Sequence, residues 1–193
     1  MTTIPPDRTR RLLAARVLAL PLLLAGAGAA LAQRSGDPAL ERRVKAAFLF
    51  KFLGYAEFPP HAFADASGPL TIAVVGSDEM AGELARIAAG RSIAGRPIAV
   101  RLVRDTELAA PVHLLFVSGV DAERAGRVLR AAPAAYLTVT ECEGGLRYGS
   151  VINFRIVDER VRFDVSLDAA EKKSVKLSSR LLTVANRVQK GGA

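Results

Sequence analysis

The residue types that most often bind metals or perform catalysis are few and widely separated in this sequence. The chain has two histidines, His61 and His113, and a single cysteine, Cys142. A structural zinc site needs several nitrogen or sulfur ligands, usually in closely spaced groups. Neither these residues nor the carboxylates show such a spacing. The sequence therefore predicts no metal site and no cofactor.

Ser118, His113 and Asp121 are the residue types of a hydrolase triad, but their spacing argues against one. His113 and Ser118 are five residues apart along, or just past, one predicted strand. Each residue advances a strand by about 3.3 Å, and successive side chains point to opposite faces, so these two cannot meet. A G-x-S-x-G nucleophile elbow is also absent. We expect no catalytic residues and no enzymatic activity, with catalysis by Cys142 and a distant histidine as the alternative.

A helix follows a predicted strand at Gly76-Ser77, which is where α/β folds often bind ligands. Asp78 and Glu79 lie in the first turn of that helix. Acidic residues stabilise the helix dipole there, and they would repel a phosphate. The sequence thus favours helix capping over phosphate binding. Residues 141–149, with Cys142 and three glycines, form a loop that either gates a pocket or turns the chain.

Residues 1–32 have the three parts of a secretory signal peptide. Arginines between positions 8 and 16 precede an apolar stretch at 17–24, and Ala30-Leu31-Ala32 forms an A-x-A cleavage site. The apolar stretch is short for a membrane span. The sequence therefore predicts export and a mature chain that begins at Gln33.

The charge pattern gives no indication of nucleic-acid binding. The whole chain carries a net charge of +8, but acidic and basic residues interleave through most of residues 33–193. No compact Lys/Arg cluster with aromatic residues is present. The basic residues between 172 and 190 are interpreted as a solvated helix face, with contact to anionic lipid or an acidic partner as the alternative.

Residues 38–58 predict a long opening helix that is apolar nearly all round, ended by Pro59-Pro60. Phe48, Phe52 and Tyr55 lie on one face of it. Such a helix is either buried or covered by a partner. We interpret this face as core packing, with a dimer or partner surface as the alternative.

Short apolar runs alternate with helical segments through the middle of the chain. Such runs are typical of strands that are buried on both faces of a parallel sheet, and their alternation with helices favours an α/β fold. Helices are expected after Ser77 and Asp121. Strands are predicted at residues 70–76, 98–103, 112–117 and 137–140.

The pattern changes after position 150. Residues 151–157 and 161–167 alternate between apolar and polar types, which predicts an antiparallel hairpin. A short helix from Asp168 and a final helix at 180–188 follow. We therefore expect an α/β fold for residues 33–193: a single three-layer domain with a largely parallel sheet ending in an antiparallel hairpin.

Taken in order, these segments resemble the YfiR-like family. The resemblance runs from about Val44 to Val188. It rests on an opening helix, two strands, the hairpin and a closing helix, at residues 44–59, 69–76, 113–117, 149–170 and 177–182.

The resemblance implies an exported α/β protein that acts by binding other proteins. The best-studied family member is a periplasmic repressor that holds the sensor domain of an inner-membrane diguanylate cyclase inactive. An outer-membrane lipoprotein sequesters that repressor, and cyclic di-GMP then rises and favours biofilm. The family member forms dimers and is sensitive to oxidation.

The sequence departs from the family at its cysteines. Members often carry one just before the central strand, where this chain has Pro111-Val112-His113. Cys142 therefore has no partner within the chain, and redox control through an internal disulfide is not expected. A buried thiol, or a disulfide between two protomers, stays open.

The resemblance thus implies a periplasmic, homodimeric protein that inhibits an inner-membrane diguanylate cyclase and lowers cyclic di-GMP and biofilm formation. The alternative is a periplasmic small-molecule receptor for another membrane sensor, with its pocket at the strand ends near Gly76 and Ser118. The predicted partner contacts lie in the opening helix, the hairpin and the final helix: Phe48, Phe52, Tyr55, Asn153, Phe154, Arg162, Asp164 and Arg180.

Overall fold

The computed structural model of the protein describes most of the chain beyond the predicted signal peptide. Residues 1–32 and Gln33 lie outside the described residues. In the part that is described, no helix is long and apolar enough to cross a membrane. The described residues are 37–63, 65, 67–105, 107, 112–132 and 135–191.

The opening helix, α1, spans Pro38–Gly54. Asp37 caps it by accepting a hydrogen bond from the Ala39 amide, and Pro38 occupies a first-turn position that needs no amide donor. The predicted helix extended to residue 58, whereas α1 ends at Gly54. The chain leaves α1 for a short strand, β1 (Ala56–Glu57), because this segment pairs with a strand from the far end of the chain.

In the described part of the chain, eight strands form the central sheet, and a further two form a small sheet of their own. The central strands are β2 (Leu70–Val75), β3 (Ser92–Ile93), β4 (Arg96–Val103), β5 (Val112–Val117), β6 (Ala135–Thr140), β7 (Ile152–Val157), β8 (Arg160–Ser166) and β10 (Arg187–Gln189). The small sheet pairs β1 with β9 (Lys176–Leu177).

The central sheet has the order β10-β8-β7-β6-β5-β2-β4-β3. Neighbours from β4 to β7 are parallel, and β8 is antiparallel to β7. Asp158 and Glu159 join β7 to β8 with φ angles of 48° and 58°, which matches the twist of a tight hairpin. The predicted largely parallel sheet ending in an antiparallel hairpin is confirmed.

Among the described residues, four further α-helices follow α1, and a polar side chain caps each of them. They are α2 (Asp78–Ala88), α3 (Ala122–Ala131), α4 (Leu167–Lys172) and α5 (Ser179–Val184). The caps are Ser77, Asp121, Ser166 and Ser178, each of which accepts a hydrogen bond from the backbone amide three residues later. The capping interpretation of Ser77 is therefore confirmed.

The final helix, predicted at 180–188, extended too far toward the C-terminus. α5 stops at Val184, and Ala185 has an extended conformation. The Asn186 amide then donates to the Phe163 carbonyl at 2.8 Å, and β10 continues as a parallel neighbour of β8. This tertiary pairing ends the helix, and the weak helix propensity of Thr183, Val184 and Asn186 does little to oppose it.

The sheet separates two cores, which gives the three predicted layers. On one face α1 and α2 cover a large core that includes Phe52, Phe116 and Phe163. On the other face α3 covers a smaller core around Val117 and Val128.

Candidate partner-binding groove

A groove of about 320 Å³ lies between α1, β8 and α5. Seven of its ten lining residues are apolar or aromatic, and three are basic. The lining residues are Phe48, Lys51, Phe52, Tyr55, Val161, Arg162, Phe163, Arg180, Leu181 and Val184.

The α1 wall of the groove is one face of that helix, continued by its C-cap residue Tyr55. Phe48, Lys51 and Tyr55 are spaced by three and four residues, a spacing that places side chains above one another. Phe48 is half-buried, whereas Lys51 is exposed and Tyr55 keeps 36% of its surface open to solvent. This wall thus presents aromatic surface and one cation.

The α5 wall has a similar composition. Arg180 and Val184 are four residues apart and so share a face of α5; Val184 is 58% exposed. The amide of the capping residue Ser178 donates to the Tyr55 carbonyl at 2.9 Å. That bond joins the beginning of α5 to the end of α1, so the two walls are fixed relative to each other.

The floor of the groove is part of the large core. Phe52, Phe163 and Leu181 are each 1% exposed. The rings of Phe52 and Phe163 meet edge to face with centroids 4.9 Å apart, a preferred aromatic geometry. A floor of interlocked rings holds the walls in place without a ligand.

The groove carries uncompensated positive charge. Neither Lys51 nor Arg180 forms an ion pair within the described part of the chain. None of the ten lining residues is an Asp or a Glu. An exposed apolar surface beside unpaired cations is suited to binding an apolar, negatively charged partner.

Five of the eight predicted contact residues line this groove, although two of them lie mainly elsewhere. Phe48, Tyr55 and Arg180 belong to its walls. Phe52 belongs to the core beneath them. Strand alternation directs the Arg162 side chain to the sheet face opposite Phe163, so Arg162 lines the groove through its position on β8.

The structure places the other three predicted contacts inside the domain. Phe154 is 2% exposed and packs on Phe52. The Asn153 side-chain oxygen accepts a hydrogen bond from the Thr140 hydroxyl at 2.7 Å, and the Asp164 carboxylate accepts one from the Asn186 side-chain amide, Nδ2, at 2.7 Å. These side chains bind the hairpin to its neighbours, and their predicted contact with a partner stays a prediction.

Sequence reasoning did not select Lys51, Leu181 or Val184 as site residues. Lys51 could have been selected from the sequence, because it follows Phe48 by three residues and so lies on the same helix face. Val184 could have been selected in the same way, because it follows Arg180 by four residues. Nothing in the sequence indicated that these two helix faces meet, because the contact between them joins Tyr55 to Ser178, which are remote in sequence.

The strand ends near Gly76 and Ser118, where a ligand pocket was the alternative, hold side chains of the protein itself. Glu141 follows β6, and one of its carboxylate oxygens accepts from the Ser118 hydroxyl and the Gly119 amide, both at 2.7 Å. The other accepts from the Lys45 ammonium at 2.6 Å. The Arg124 guanidinium lies beside Gly76 and donates to the Ser118 carbonyl.

Opposite charges maintain ionisation at this edge of the sheet. Burial opposes the charged form of both Glu141 and Lys45. The hydrogen bonds and charge attraction between them outweigh burial, so the pKa of Glu141 is lowered and the pKa of Lys45 is raised. Glu41 also contacts Lys45, at 2.5 Å. The carboxylate thus occupies the position where an anionic ligand would bind in many α/β folds.

The triad that spacing argued against is not formed. His113 is 5% exposed, and its Nδ1 accepts from the Thr71 amide at 3.0 Å. Burial lowers the pKa of His113, which favours the neutral ring. The Ser118 hydroxyl donates instead to Glu141. The interpretation of His113 as a strand histidine satisfied by backbone is confirmed at Nδ1.

Cys142 is a free thiol with 1% of its surface exposed. Burial raises its pKa, so that little reactive thiolate forms at neutral pH. A disulfide between protomers would require this part of the chain to open first. The described residues contain no cluster of His, Cys, Asp and Glu that could hold a metal ion.

Comparisons with known proteins place the chain in a family. No curated protein matches the chain. The model of the YfiR/HmsC-like family matches residues 42–186, from the first turns of α1 to the residue before β10. This match covers seven of the eight described strands of the central sheet and all ten groove residues, and the protein belongs to the YfiR/HmsC-like family.

Proposed function

We propose that this protein is a periplasmic regulator that binds the sensor part of an inner-membrane diguanylate cyclase and inhibits it. Membership of the YfiR/HmsC-like family supports the general role, since the best-studied member of the family is a repressor of this kind. The observation that carries the proposal for this chain is the groove between α1 and α5, with exposed apolar residues and unpaired cations.

Inhibition follows from differential binding. A protein that binds the inactive form of a sensor more tightly than the active form shifts the population toward the inactive form. A hundredfold preference corresponds to about 2.7 kcal/mol. A prearranged groove is suited to this task, because little conformational entropy is lost when the partner docks.

We further infer that the protein is not an enzyme. The side chains that would be candidates for catalysis have other bonds: Ser118 donates to Glu141, and His113 accepts from the Thr71 amide. Cys142 is buried with a raised pKa. Their surroundings favour structural roles for all three.

The test compares the cellular concentration of cyclic di-GMP in cells with and without the gene. Deletion should raise cyclic di-GMP, and the wild-type exported protein should restore the lower level. Complementation with Val184→Asp should fail, because a carboxylate would disrupt the apolar α5 wall. Val120→Asp is the matched control, since Val120 is 85% exposed and is not a groove residue.

Unchanged cyclic di-GMP on deletion, under several growth conditions, would refute the proposed function. Equal repression by Val184→Asp and wild type, at equal protein levels in the periplasmic fraction, would show that the groove is not the docking surface. Circular dichroism of both purified variants checks that each one is folded.

A further inference from the structure

The two walls of the groove repeat one arrangement, an apolar side chain next to a cation. On α1, Lys51 lies between Phe48 and Tyr55 along one face. On α5, Arg180 shares a face with Val184, one turn away. A partner that fills the groove must therefore present apolar side chains to its centre and negative charge to both sides.

Resting on the proposed function, we propose that the segment recognised by this groove is an acidic amphipathic helix of the partner protein. Its apolar stripe lies between α1 and α5, and carboxylates on either side of the stripe contact Lys51 and Arg180. Acidic residues are absent from the groove lining, so such carboxylates meet no like charge.

The dimensions favour a helix. The α1 wall from Phe48 to Tyr55 covers about two helical turns, or about 10 Å. An amphipathic helix presents anchors at i, i+3 or i+4, and i+7, which matches that length. The groove is bounded by helices on two sides, so that a third helix can pack its ridge of side chains between them.

A membrane surface fits this groove less well. A lipid headgroup layer is broad and flat, so it would contact the exposed rim at Tyr55 and Val184 and leave the space of about 320 Å³ between the walls unfilled. Lipid binding by a surface helix also requires an extended apolar face, whereas α5 covers only Ser179–Val184.

The experiment selects binders from a displayed library of amphipathic peptides about 15 residues long, near the minimum for a helix in water. Residues 33–193 serve as the target, and a Lys51→Glu/Arg180→Glu double variant serves for counter-selection. We expect the enriched peptides to carry net negative charge and an apolar stripe with helical period. Their affinity should decrease as salt is raised, because exposed charges are screened.

Selected peptides are then measured by fluorescence anisotropy. Lys51→Glu and Arg180→Glu should each weaken binding about tenfold or more. The matched control is Arg101→Glu, which makes the same charge change at an exposed position on β4, near the other edge of the sheet. Binding by Arg101→Glu should equal that of wild type.

Three results would overturn the inference. Enriched peptides without a negative charge bias would refute the acidic chemistry. Equal loss in Arg101→Glu would show a general charge effect. Binding of phosphatidylglycerol vesicles, or self-association seen by ultracentrifugation, that is abolished by Val184→Asp and not by Val120→Asp would assign the groove to lipid or to a second copy. Because cyclic di-GMP is measured separately, repression can persist when the inference fails, and the two failures are distinguishable.

Discussion

Phe52 contacts three other phenylalanine rings, those of Phe48, Phe154 and Phe163, at centroid distances of 5.9, 5.8 and 4.9 Å. We expect Phe52→Ala to lower the free energy of unfolding by about 3–5 kcal/mol, because it removes a buried ring and leaves a cavity. Tyr55→Ala, at an exposed position of the same face, should cost less than about 1 kcal/mol. Urea denaturation measures both, and equal stability of the two variants would contradict the assignment of Phe52 to the core.

Glu141 should make stability depend on pH on the acid side. Its folded-state pKa is lowered from 4.5 by Lys45 and by its hydrogen bonds, despite burial. Its contribution is therefore complete above pH 4.5, and it is lost as pH falls through the folded-state pKa. Lys45 behaves in the opposite way, since its raised pKa makes its contribution complete below pH 10.5.

We expect Glu141→Gln to cost about 1–3 kcal/mol at neutral pH, because a buried charge-assisted hydrogen bond is lost. The same variant should show a smaller loss of stability than wild type between neutral pH and pH 3. Urea denaturation across this range measures both effects. Parallel pH curves for the two proteins would show that the carboxylate of Glu141 does not carry the dependence.

Cys142 should be unreactive while the domain is folded, because its thiol is buried and its pKa is raised. Ellman's reagent should react with the thiol only as urea unfolds the chain. Mild oxidation of the folded protein should give no cross-linked dimer on a non-reducing gel. Rapid labelling in buffer, or a dimer that disappears in Cys142→Ser, would instead support a disulfide between protomers.

At the scale of elements, two helical glycines make opposite predictions. Nothing lies within 4 Å of a Cβ added at Gly82 in α2, whereas a Cβ at Gly126 in α3 would lie 2.6 Å from the Tyr148 ring. Gly82→Ala should stabilise the protein by about 0.5–1 kcal/mol through helix propensity. Gly126→Ala should destabilise it by about 1–3 kcal/mol, because the ring must move.

Thermal unfolding of the two variants gives the measurement. Removal of the ring by Tyr148→Ala provides the control, because the clash at Gly126 should then disappear. A destabilising Gly126→Ala in both backgrounds would locate its effect elsewhere than at the ring.

The elements that sequence predicted well are those whose signals are local. Apolar runs marked the central strands, and Ser77 and Asp121 marked helix starts through their capping side chains. The errors came where distant segments decide the structure. α1 ends early because β1 pairs with β9, and the final helix ends early because β10 pairs with β8. Local propensity contains no information about such partners.

At the scale of the whole molecule, the candidate site also combines features that local sequence predicts with features that depend on distant segments. Helix spacing identified the face with Phe48 and Tyr55, and it placed Arg180 at the start of the last helix. The groove itself arises where α1, β8 and α5 meet, and the pairing of β1 with β9 brings the end of α1 to the start of α5. Burial of Asn153, Phe154 and Asp164 likewise depends on neighbours that are remote in sequence.

Export is a prediction for the whole chain. Because the residues before position 33 have the pattern of a cleavable signal, the protein in the periplasmic fraction should begin at Gln33. Mass spectrometry of the purified protein and its N-terminal peptide measures this. Replacing Ala30 and Ala32 by arginine should block cleavage and retain the longer chain in the membrane fraction. A periplasmic protein that keeps residues 1–32 would contradict the assignment.

The packing of α1 against β7 and β8 also has a consequence for when the aromatic core can form during folding. Phe48 and Phe52 lie in the first helix, but Phe154 and Phe163, which cover them, are synthesised more than 100 residues later. Contacts of such long range slow the search for the native state. The aromatic face of α1 therefore stays uncovered until almost the whole chain is available. Until that point the chain exposes apolar ring surface, and such surface makes an incompletely folded chain prone to aggregation.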